Sequence, residues 1–209
     1  MTKSPNGNTY PAPEKLSFPL EEKRHEWLPW LIDVYYTTDL GVQEGIRREE
    51  MKGRKLACHK GCSSCCRTHT TIPVYPIELT GLYWYVIEKT TGSIRSTIKQ
   101  QCTDHQAGQP CPFLVDGGCG IHPMRPQACR HFNVFSIPCE EGEDAYYSRR
   151  QDVLTPISKY KEEALSKMLP FHKIKGRTKR REAIKTGLVH QYVHVLQEID
   201  WPKLAVRMV

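Results

Sequence analysis

Seven cysteines fall into two blocks whose spacing is typical of metal ligands. Four lie within residues 58–66 and three within residues 111–129. Thiolates separated by two or three residues can turn towards one ion, because a short turn brings successive sulfurs to the distance of about 2.3 Å that a Zn–S bond requires. The sequence therefore predicts a centre that binds zinc or iron through thiolates. The predicted ligands are Cys58, Cys62, Cys65, Cys66, Cys111, Cys119 and Cys129.

The number of predicted ligands bears on the kind of metal centre. Seven cysteines exceed the four that one tetrahedral zinc ion or one iron–sulfur cluster requires. A bridged two-metal centre and a four-iron cluster with spare thiolates both fit this count, and a closed zinc site that only holds loops together is the simpler alternative. Cys65 and Cys66 are adjacent and would point in opposite directions in extended chain, so they either serve different metals or only one is a ligand.

Other residues near the blocks could contribute to the site. Cys102 and Cys139 lie outside the motif, and we expect neither to be a core ligand, because free cysteine often behaves as a small buried hydrophobe. Of these two, Cys139 is the closer candidate, since nine residues separate it from Cys129. Four histidines could be ligands, acid–base groups or surface residues, and the sequence leaves their roles open. These are His59, His69, His122 and His131.

Taken together, the two blocks resemble a known bacterial family. The first block reads Cys-x3-Cys-x2-Cys-Cys, and in this order with the second it resembles the YkgJ-like cysteine-cluster family of zinc- or iron-chelating domains, over about residues 56–135. The resemblance implies a zinc or iron centre at the motif cysteines. The usual run of the family is Cys-x2-Cys-x2-Cys-Cys, so the three-residue gap after Cys58 is a departure that bears on ligand geometry. The second block consists of Cys111-Pro-Phe-Leu, Cys119-Gly-Ile-His, Arg125-Pro126 and Cys129-Arg130.

The two arginines of this motif are candidates for orienting the ligands. Arg125 and Arg130 can donate hydrogen bonds to thiolate sulfurs or to loop carbonyls, as the outer-shell groups of metal sites do. A plain surface charge is the alternative for each of them.

Helices must position the cysteine blocks, and the apolar pattern predicts where they run. Apolar residues recur at helical spacing over residues 19–51, with a break near Pro29. Further helices are predicted over residues 76–92 and 93–101, with a short β-prone stretch at 68–74. Towards the C-terminus we expect helices over residues 155–168 and 180–199, the latter with His190 and His194 on one face. The predicted fold class is mainly α, with helices packed around a loop-rich, metal-organised cysteine cluster and little β structure.

Composition indicates a globular protein with one domain. The chain has 209 residues, of which 39% are hydrophobic and 25% charged. We expect a disordered leader over residues 1–18 and a single domain over 19–209, with the cysteine core at about 56–135 and C-terminal helices at about 155–199. We find no export signal and no apolar run of the roughly 18 to 20 residues that a membrane span needs. The expected location is the cytoplasm, where cysteines stay reduced.

Three functions fit these observations. The first is metal binding, as a chelator, carrier or redox sensor. The second is a metal-dependent enzyme, because a similar cysteine motif occurs in flagellin lysine methylases, which implies redox or methyl-transfer chemistry. The third is an interaction module held by structural zinc, which would use the basic run over residues 173–181. The net charge is +7, but no known nucleic-acid-binding motif accompanies the basic run. We therefore expect metal ions as partners and no specific nucleic-acid binding.

Overall fold

The computed structural model describes residues 10–208 and is mainly helical, as predicted. Its β structure consists of two small antiparallel sheets: β1 (Pro73–Val74) pairs with β4 (His194–Val195), and β2 (Leu114–Val115) pairs with β3 (Gly118–Cys119). Short 3₁₀ turns connect many of the helices. The helices are α1 Pro19–Arg24, α2 Trp27–Met51, α3 Ser64–Thr68, α4 Pro76–Glu88, α5 Gly92–Asp104, α6 Gln127–His131, α7 Ala145–Ser148, α8 Ser158–Met168, α9 Arg177–Lys185 and α10 Trp201–Ala205.

Helix α2 is the central element, because α4, α6 and α8 all pack against it. Its buried face contributes Leu28, Leu31 and Tyr35 to the larger core, where Met168 and Leu169 meet them from the α8 region. The predicted break near Pro29 falls instead at residues 25–26. Pro29 is the third residue of α2, and a proline in the first turn removes no intrahelical hydrogen bond, since the first amides of a helix have no partner there.

The contact between α2 and α8 depends on glycine. A Cβ atom added at Gly41 would lie 2.6 Å from the Cβ of Tyr160, which cannot move without its backbone. We therefore expect Gly41→Ala to lower the free energy of unfolding by about 1–3 kcal/mol, because the overpacking outweighs the better helix propensity of alanine. Urea denaturation measures this change. Gly118→Ala is the control, because its added methyl would meet nothing closer than 3.7 Å; equal stability of the two variants would contradict the prediction.

A second core lies beside the second cysteine block. Phe113 and Trp201 meet edge to face with ring centroids 4.9 Å apart, and Ile98, Cys102 and Leu204 complete this core together with other buried residues. Helix α10 thus packs against α5 and encloses the segment that carries Cys111 and Cys119.

The predicted helix over residues 180–199 is wrong. Helix α9 ends at Lys185, and Gly187 has a φ of +70°, a left-handed conformation that glycine adopts without strain and that ends a helix. A 3₁₀ turn and strand β4 follow. His190 lies in that turn and His194 lies in the strand, so they do not share a helical face. Helix α10 was not predicted.

The predicted leader lies partly outside the described residues, which begin at Tyr10. Of its described part, Leu16 and Phe18 pack against the larger core, while residues 1–9 fall outside. Among the helices of residues 10–208, none combines the length and apolar character needed to cross a lipid bilayer.

Candidate metal centre

The first cysteine block is held by pairing between two distant segments. Ala57 N donates to Val134 O at 2.8 Å, and Ser136 N donates to Lys55 O at 2.8 Å. This pairing brings Cys58 beside residue 134, where its Sγ accepts a hydrogen bond from Val134 N at 3.3 Å. A tight turn follows, in which Cys62 N donates to His59 O and Gly61 has a φ of +86°. Helix α3 then carries Cys65 and Cys66.

The second block consists of a hairpin and a short helix. Asp116 and Gly117 both have positive φ and join β2 to β3, as a type I′ two-residue turn requires. The hairpin places Cys119 opposite Leu114, and α6 carries Cys129. The two blocks are joined directly, because Cys111 N donates to Cys66 O at 3.1 Å.

Cys65 lies where the two blocks meet. Helix α3, which carries it, is joined to the second block by the hydrogen bond from Cys111 N to Cys66 O. The Cys65 thiol also acts on the pKa of Cys58, Cys111, Cys119 and Cys129. The structure therefore places the first block beside the second.

Cys139 lies beside the first block, because it packs with Cys58 against the cluster of Val134, Ala145 and Val153. Of the two cysteines outside the motif it was the closer candidate, and the expectation that it is not a core ligand stays a prediction. The thiols of Cys62 and Cys65 act on it, and Cys139 in turn acts on Cys58. The isolated bridge between Leu56 and Phe135 helps to bring the segment before Cys139 beside the segment before Cys58. These two residues are far apart in the sequence, so local patterns do not predict their contact. Cys102 differs: it is fully buried in the second core, and burial alone raises its pKa, to about 12.

Burial disfavours the thiolate form of several cysteines of the two blocks. Burial raises the pKa of Cys58 to about 11, and nearby thiols add to this effect. Burial and neighbouring thiols likewise raise the pKa of Cys111 and of Cys129. For Cys65, the hydrogen bond with Cys66 is the first cause of the raised pKa and burial is the second. A cation in the cluster would reverse this balance, because it stabilises the thiolate form.

The donor set fits a thiophilic metal in its chemistry. Cysteine thiolates suit zinc and iron–sulfur centres. Arg125 acts on Cys65, Cys119 and Cys129, and its buried Nε has no hydrogen-bond partner. The arrangement of the side chains is not that of a closed ligand shell: within residues 10–208, no three Cys, His, Asp or Glu donors surround a point at which an ion could be held.

Arg130 fixes the loop that carries the last motif cysteine. Its guanidinium lies under the Tyr35 ring, 4.0 Å from the centroid, and forms a 2.5 Å ion pair with Asp39. It also donates to Pro123 O at 2.6 Å and to Arg125 O at 3.0 Å. The side chain is 5% exposed. Arg130 thus donates to loop carbonyls, one of the roles considered from the sequence, and ties α2 to the turn before α6.

Glu78 and Gln127 form a second link between the helices and α6. Glu78 is fully buried; its Oε1 accepts from Gln127 N at 2.7 Å and its Oε2 accepts from Tyr75 N at 3.0 Å. Thr38 Oγ1 donates to Gln127 Oε1 at 3.0 Å. One carboxylate therefore accepts hydrogen bonds from backbone amides at the N-termini of both α4 and α6, where amides have no partner within the helix. Sequence analysis missed Glu78, although an acidic residue at the third position of a helix is a capping signal.

Glu78 predicts a pH dependence of stability. Burial raises its pKa from 4.5 to about 7, so the folded state holds this proton more tightly than the unfolded chain does. The stabilisation of the folded state by protonated Glu78 is fully present below about pH 4.5 and is lost as the pH rises through about 7. The free energy of unfolding should fall by about 3 kcal/mol in total over this range. We expect urea denaturation of metal-free protein at pH 5 and pH 7.5 to show a smaller fall in stability for Glu78→Gln than for wild type. Parallel pH profiles of the two proteins would refute this assignment.

The histidines occupy different environments. His59 is exposed and contacts only a neighbouring carbonyl through Nδ1, 3.0 Å from Lys60 O. His69 Nε2 lies 3.2 Å from Asp144 Oδ1, and its ring meets the edge of Phe132 at 4.3 Å; burial lowers its pKa. Burial also lowers the pKa of His131 to about 4, and of His122, which nonetheless has an exposed side chain.

Gln197 links the first block to the C-terminal segment. Its buried amide donates to His69 O at 2.8 Å and accepts from Ile72 N at 3.0 Å. The strand pair β1 and β4 continues this connection. The segment after α9 therefore supports the loop that follows α3.

Comparison with known proteins finds a family model that matches the cysteine-containing segment. Residues 57–153 match the model of the CxxCxxCC family, which is described as a putative zinc- or iron-chelating domain. This segment contains both cysteine blocks and extends to Val153, beyond Cys139. No curated protein and no solved structure matches the chain. The family-model match covers 97 of the 209 residues, and it agrees with the cysteine-cluster resemblance of the two blocks.

Proposed function

We propose that this protein binds zinc or iron through the cysteine cluster, as a centre with more than one metal ion or as an iron–sulfur centre. The observation that carries the proposal is that the fold brings the two cysteine blocks together: Cys111 N donates to Cys66 O at 3.1 Å, and Cys58 packs with Cys139 against one hydrophobic cluster. The seven predicted ligands and Cys139 make eight thiols. A set of this size exceeds one tetrahedral shell.

The electrostatics of the cluster support this proposal. Thiols packed together and removed from water resist ionisation, and a bound cation offsets the charge of several thiolates at once. Arg125 provides a further positive charge beside three of them. Metal binding would release protons from the thiols, so we expect the affinity for metal to decrease as the pH is lowered.

All nine cysteines are unpaired, including Cys102. Free thiols at this density are typical of a reducing compartment, which supports the further proposal of a cytoplasmic location.

Metal analysis of anaerobically purified protein tests the proposed function. We expect more than one zinc or iron ion per chain, and an iron–sulfur centre would add visible absorption that zinc would not. Thiol titration of the native protein should then detect fewer than nine reactive groups. A folded, metal-free chain in which all nine thiols react would refute the proposal.

A further inference from the structure

A cleft outside the cysteine blocks lies between the start of α2 and the 3₁₀ turn that follows α8. Its volume is about 520 Å³. Three aromatic rings and two lysines line it, and one glutamate lies among them. These residues are Trp27, Trp30, Phe171, Lys173, Lys175 and Glu26. The cleft therefore combines flat apolar surfaces with positive charge, and it uses none of the predicted metal ligands.

The aromatic rings of the cleft are fixed in place but remain accessible. Trp27 meets the edge of Trp84 with ring centroids 6.1 Å apart, and it meets His25 at 5.4 Å. Trp27, Trp30 and Phe171 all pack against the larger core, and each is only partly buried. Rings held in this way lose little conformational freedom when a planar group stacks on them. The cleft thus offers preorganised stacking surfaces.

The backbone holds both lysines beside these rings. Lys173 has a φ of +61°, a left-handed conformation that is uncommon for a residue other than glycine, and its N donates to Pro170 O at 2.9 Å. Ile174 lies between the two lysines; it packs against the larger core, and its N donates to Leu169 O at 3.1 Å. Lys173 and Lys175 are both exposed. The fixed turn therefore keeps two positive charges at the cleft.

The positive charge continues from the cleft along α9. Residues 173–185 contain seven basic residues and one acidic residue. Arg177, Arg181 and Lys185 are four residues apart and exposed, so they lie along one face of this helix. In the described part of the chain, none of the seven basic side chains forms an ion pair, whereas the arginines near the end of α2 pair with Glu44. This unneutralised charge beside accessible rings fits an anion that also carries planar groups.

We propose that the cleft and α9 together bind single-stranded nucleic acid without preference for sequence. Bases stack on Trp30 and the neighbouring rings, while Lys173, Lys175 and the arginines of α9 contact phosphates. The carboxylate of Glu26 can accept a hydrogen bond from the amino group of a base, as acidic side chains do from cytosine. This activity goes beyond the proposed metal binding. It also differs from sequence-specific recognition, for which the chain has no known motif.

Other anions fit the same surface less well. A duplex keeps its bases paired inside, so they cannot stack in the cleft. A lipid surface requires protruding apolar side chains, and none of the exposed large apolar side chains among the described residues lies within residues 170–185. The apolar residues of α9, Ala183 and Ile184, pack against the larger core instead. A single nucleotide would leave α9 unused, because its nine residues extend about 13 Å.

Binding of a fluorescein-labelled oligothymidylate of about 12 nucleotides to the full chain tests the proposal. Fluorescence anisotropy measures the dissociation constant at several salt concentrations. We expect wild type to bind with a dissociation constant below about 100 μM at physiological salt. The logarithm of the binding constant should fall linearly with the logarithm of the salt concentration, with a slope of about −0.7 for each phosphate contacted.

A pair of lysine substitutions tests the role of charge at the cleft. Lys173→Gln/Lys175→Gln should weaken binding and reduce the salt slope by about 1.4, because two phosphate contacts are lost. Arg47→Gln/Lys52→Gln is the matched control. It removes the same charge near the other end of α2, roughly 25–33 Å from Trp30 along the helix axis, and it should bind as tightly as wild type. Equal losses in the two variants would reduce the binding to an effect of net charge and overturn the proposal.

A tryptophan substitution tests stacking. Trp30→Ala should weaken binding about 5–150-fold without changing the salt slope, because it removes one stacking surface but no charge. Trp30→Phe should retain most of the affinity. The bound strand should also quench the tryptophan fluorescence of wild type. Trp84 and Trp201 are buried, so this signal reports on Trp27 and Trp30.

The remaining outcomes decide between the possible partners. Failure of wild type to bind the oligonucleotide overturns the proposal, and binding to vesicles of phosphatidylserine and phosphatidylcholine alone would assign the surface to a lipid partner. A duplex of the same length that binds as tightly as the single strand contradicts stacking. Circular dichroism of each variant identifies loss of fold. Should Trp30→Ala not fold, the absence of fluorescence quenching in wild type contradicts stacking.

Discussion

Cys129→Ser is expected to remove most of the bound metal. Cys129 is half-buried against the second core, and serine oxygen replaces thiolate poorly as a ligand of zinc or iron–sulfur centres. Changes to groups outside the ligand shell already cost about 10–100-fold in metal affinity, so we expect loss of this ligand to cost more than about a hundredfold. Cys62→Ser should behave similarly. Competition with a chromogenic chelator measures the affinity.

The same substitution should loosen the loops that the metal organises. Residues 56–70 and 110–132 contain few long elements, and a structural metal supplies folding free energy to such segments. Hydrogen exchange should therefore increase in both segments for Cys129→Ser.

Cys102→Ser is the matched control for this experiment. It changes the same residue type in the second core, where Cys102 is fully buried but has no thiol among the charges that act on it. We expect it to keep its metal and to lose only modest stability, from burial of a hydroxyl group. The ligand assignment would have to be abandoned if Cys102→Ser lost as much metal as Cys62→Ser.

Arg130→Ala is expected to have the largest effect on stability among the residues outside the cluster. The change leaves the carboxylate of Asp39 without its cation, and the Oδ1 atom of this group already has no hydrogen-bond partner. It also removes the donors to Pro123 O and Arg125 O. Breaking one half of a buried ion pair typically costs about 3–5 kcal/mol, which we expect in urea denaturation of the metal-free protein.

Two further variants distinguish the buried pair from a general loss of charge. Arg47→Ala removes an exposed arginine that pairs with Glu44 on α2, and screening by solvent leaves such surface pairs with little net contribution to stability. Adding Asp39→Asn to Arg130→Ala should restore part of the lost stability, because it removes the unpaired charge. Metal affinity should fall about 10–100-fold in Arg130→Ala. If Arg47→Ala and Arg130→Ala were equally stable, the role given to Arg130 would be wrong.

Local sequence patterns predicted much of the helical structure. Apolar spacing indicated the region of α2, and proline and glycine signals indicated α4; these depend on residues near in sequence, which is why they can be recognised without tertiary information. The C-terminal helix was predicted wrongly because the apolar period continues past Gly187. The left-handed conformation at that glycine and the pairing of β4 with β1 override the periodic pattern.

The resemblance to a cysteine-cluster family and the mainly helical class could be recognised from the sequence itself, because ligand-type residues at short spacing and helical periodicity are both local features. Which cysteines meet is a different kind of property. Cys58 and Cys139 lie close because the segments around Leu56 and Phe135 pair and both cysteines pack against Val134 and Val153, whereas the cysteines of the second block pack against the core that contains Trp201. Contacts between residues so far apart in the chain arise from packing of the whole domain. The tertiary structure therefore decided which cysteines lie near one another and which residues support them. It also decided the role of Glu78, because one carboxylate can accept hydrogen bonds from two helix N-termini only where the fold brings those N-termini together.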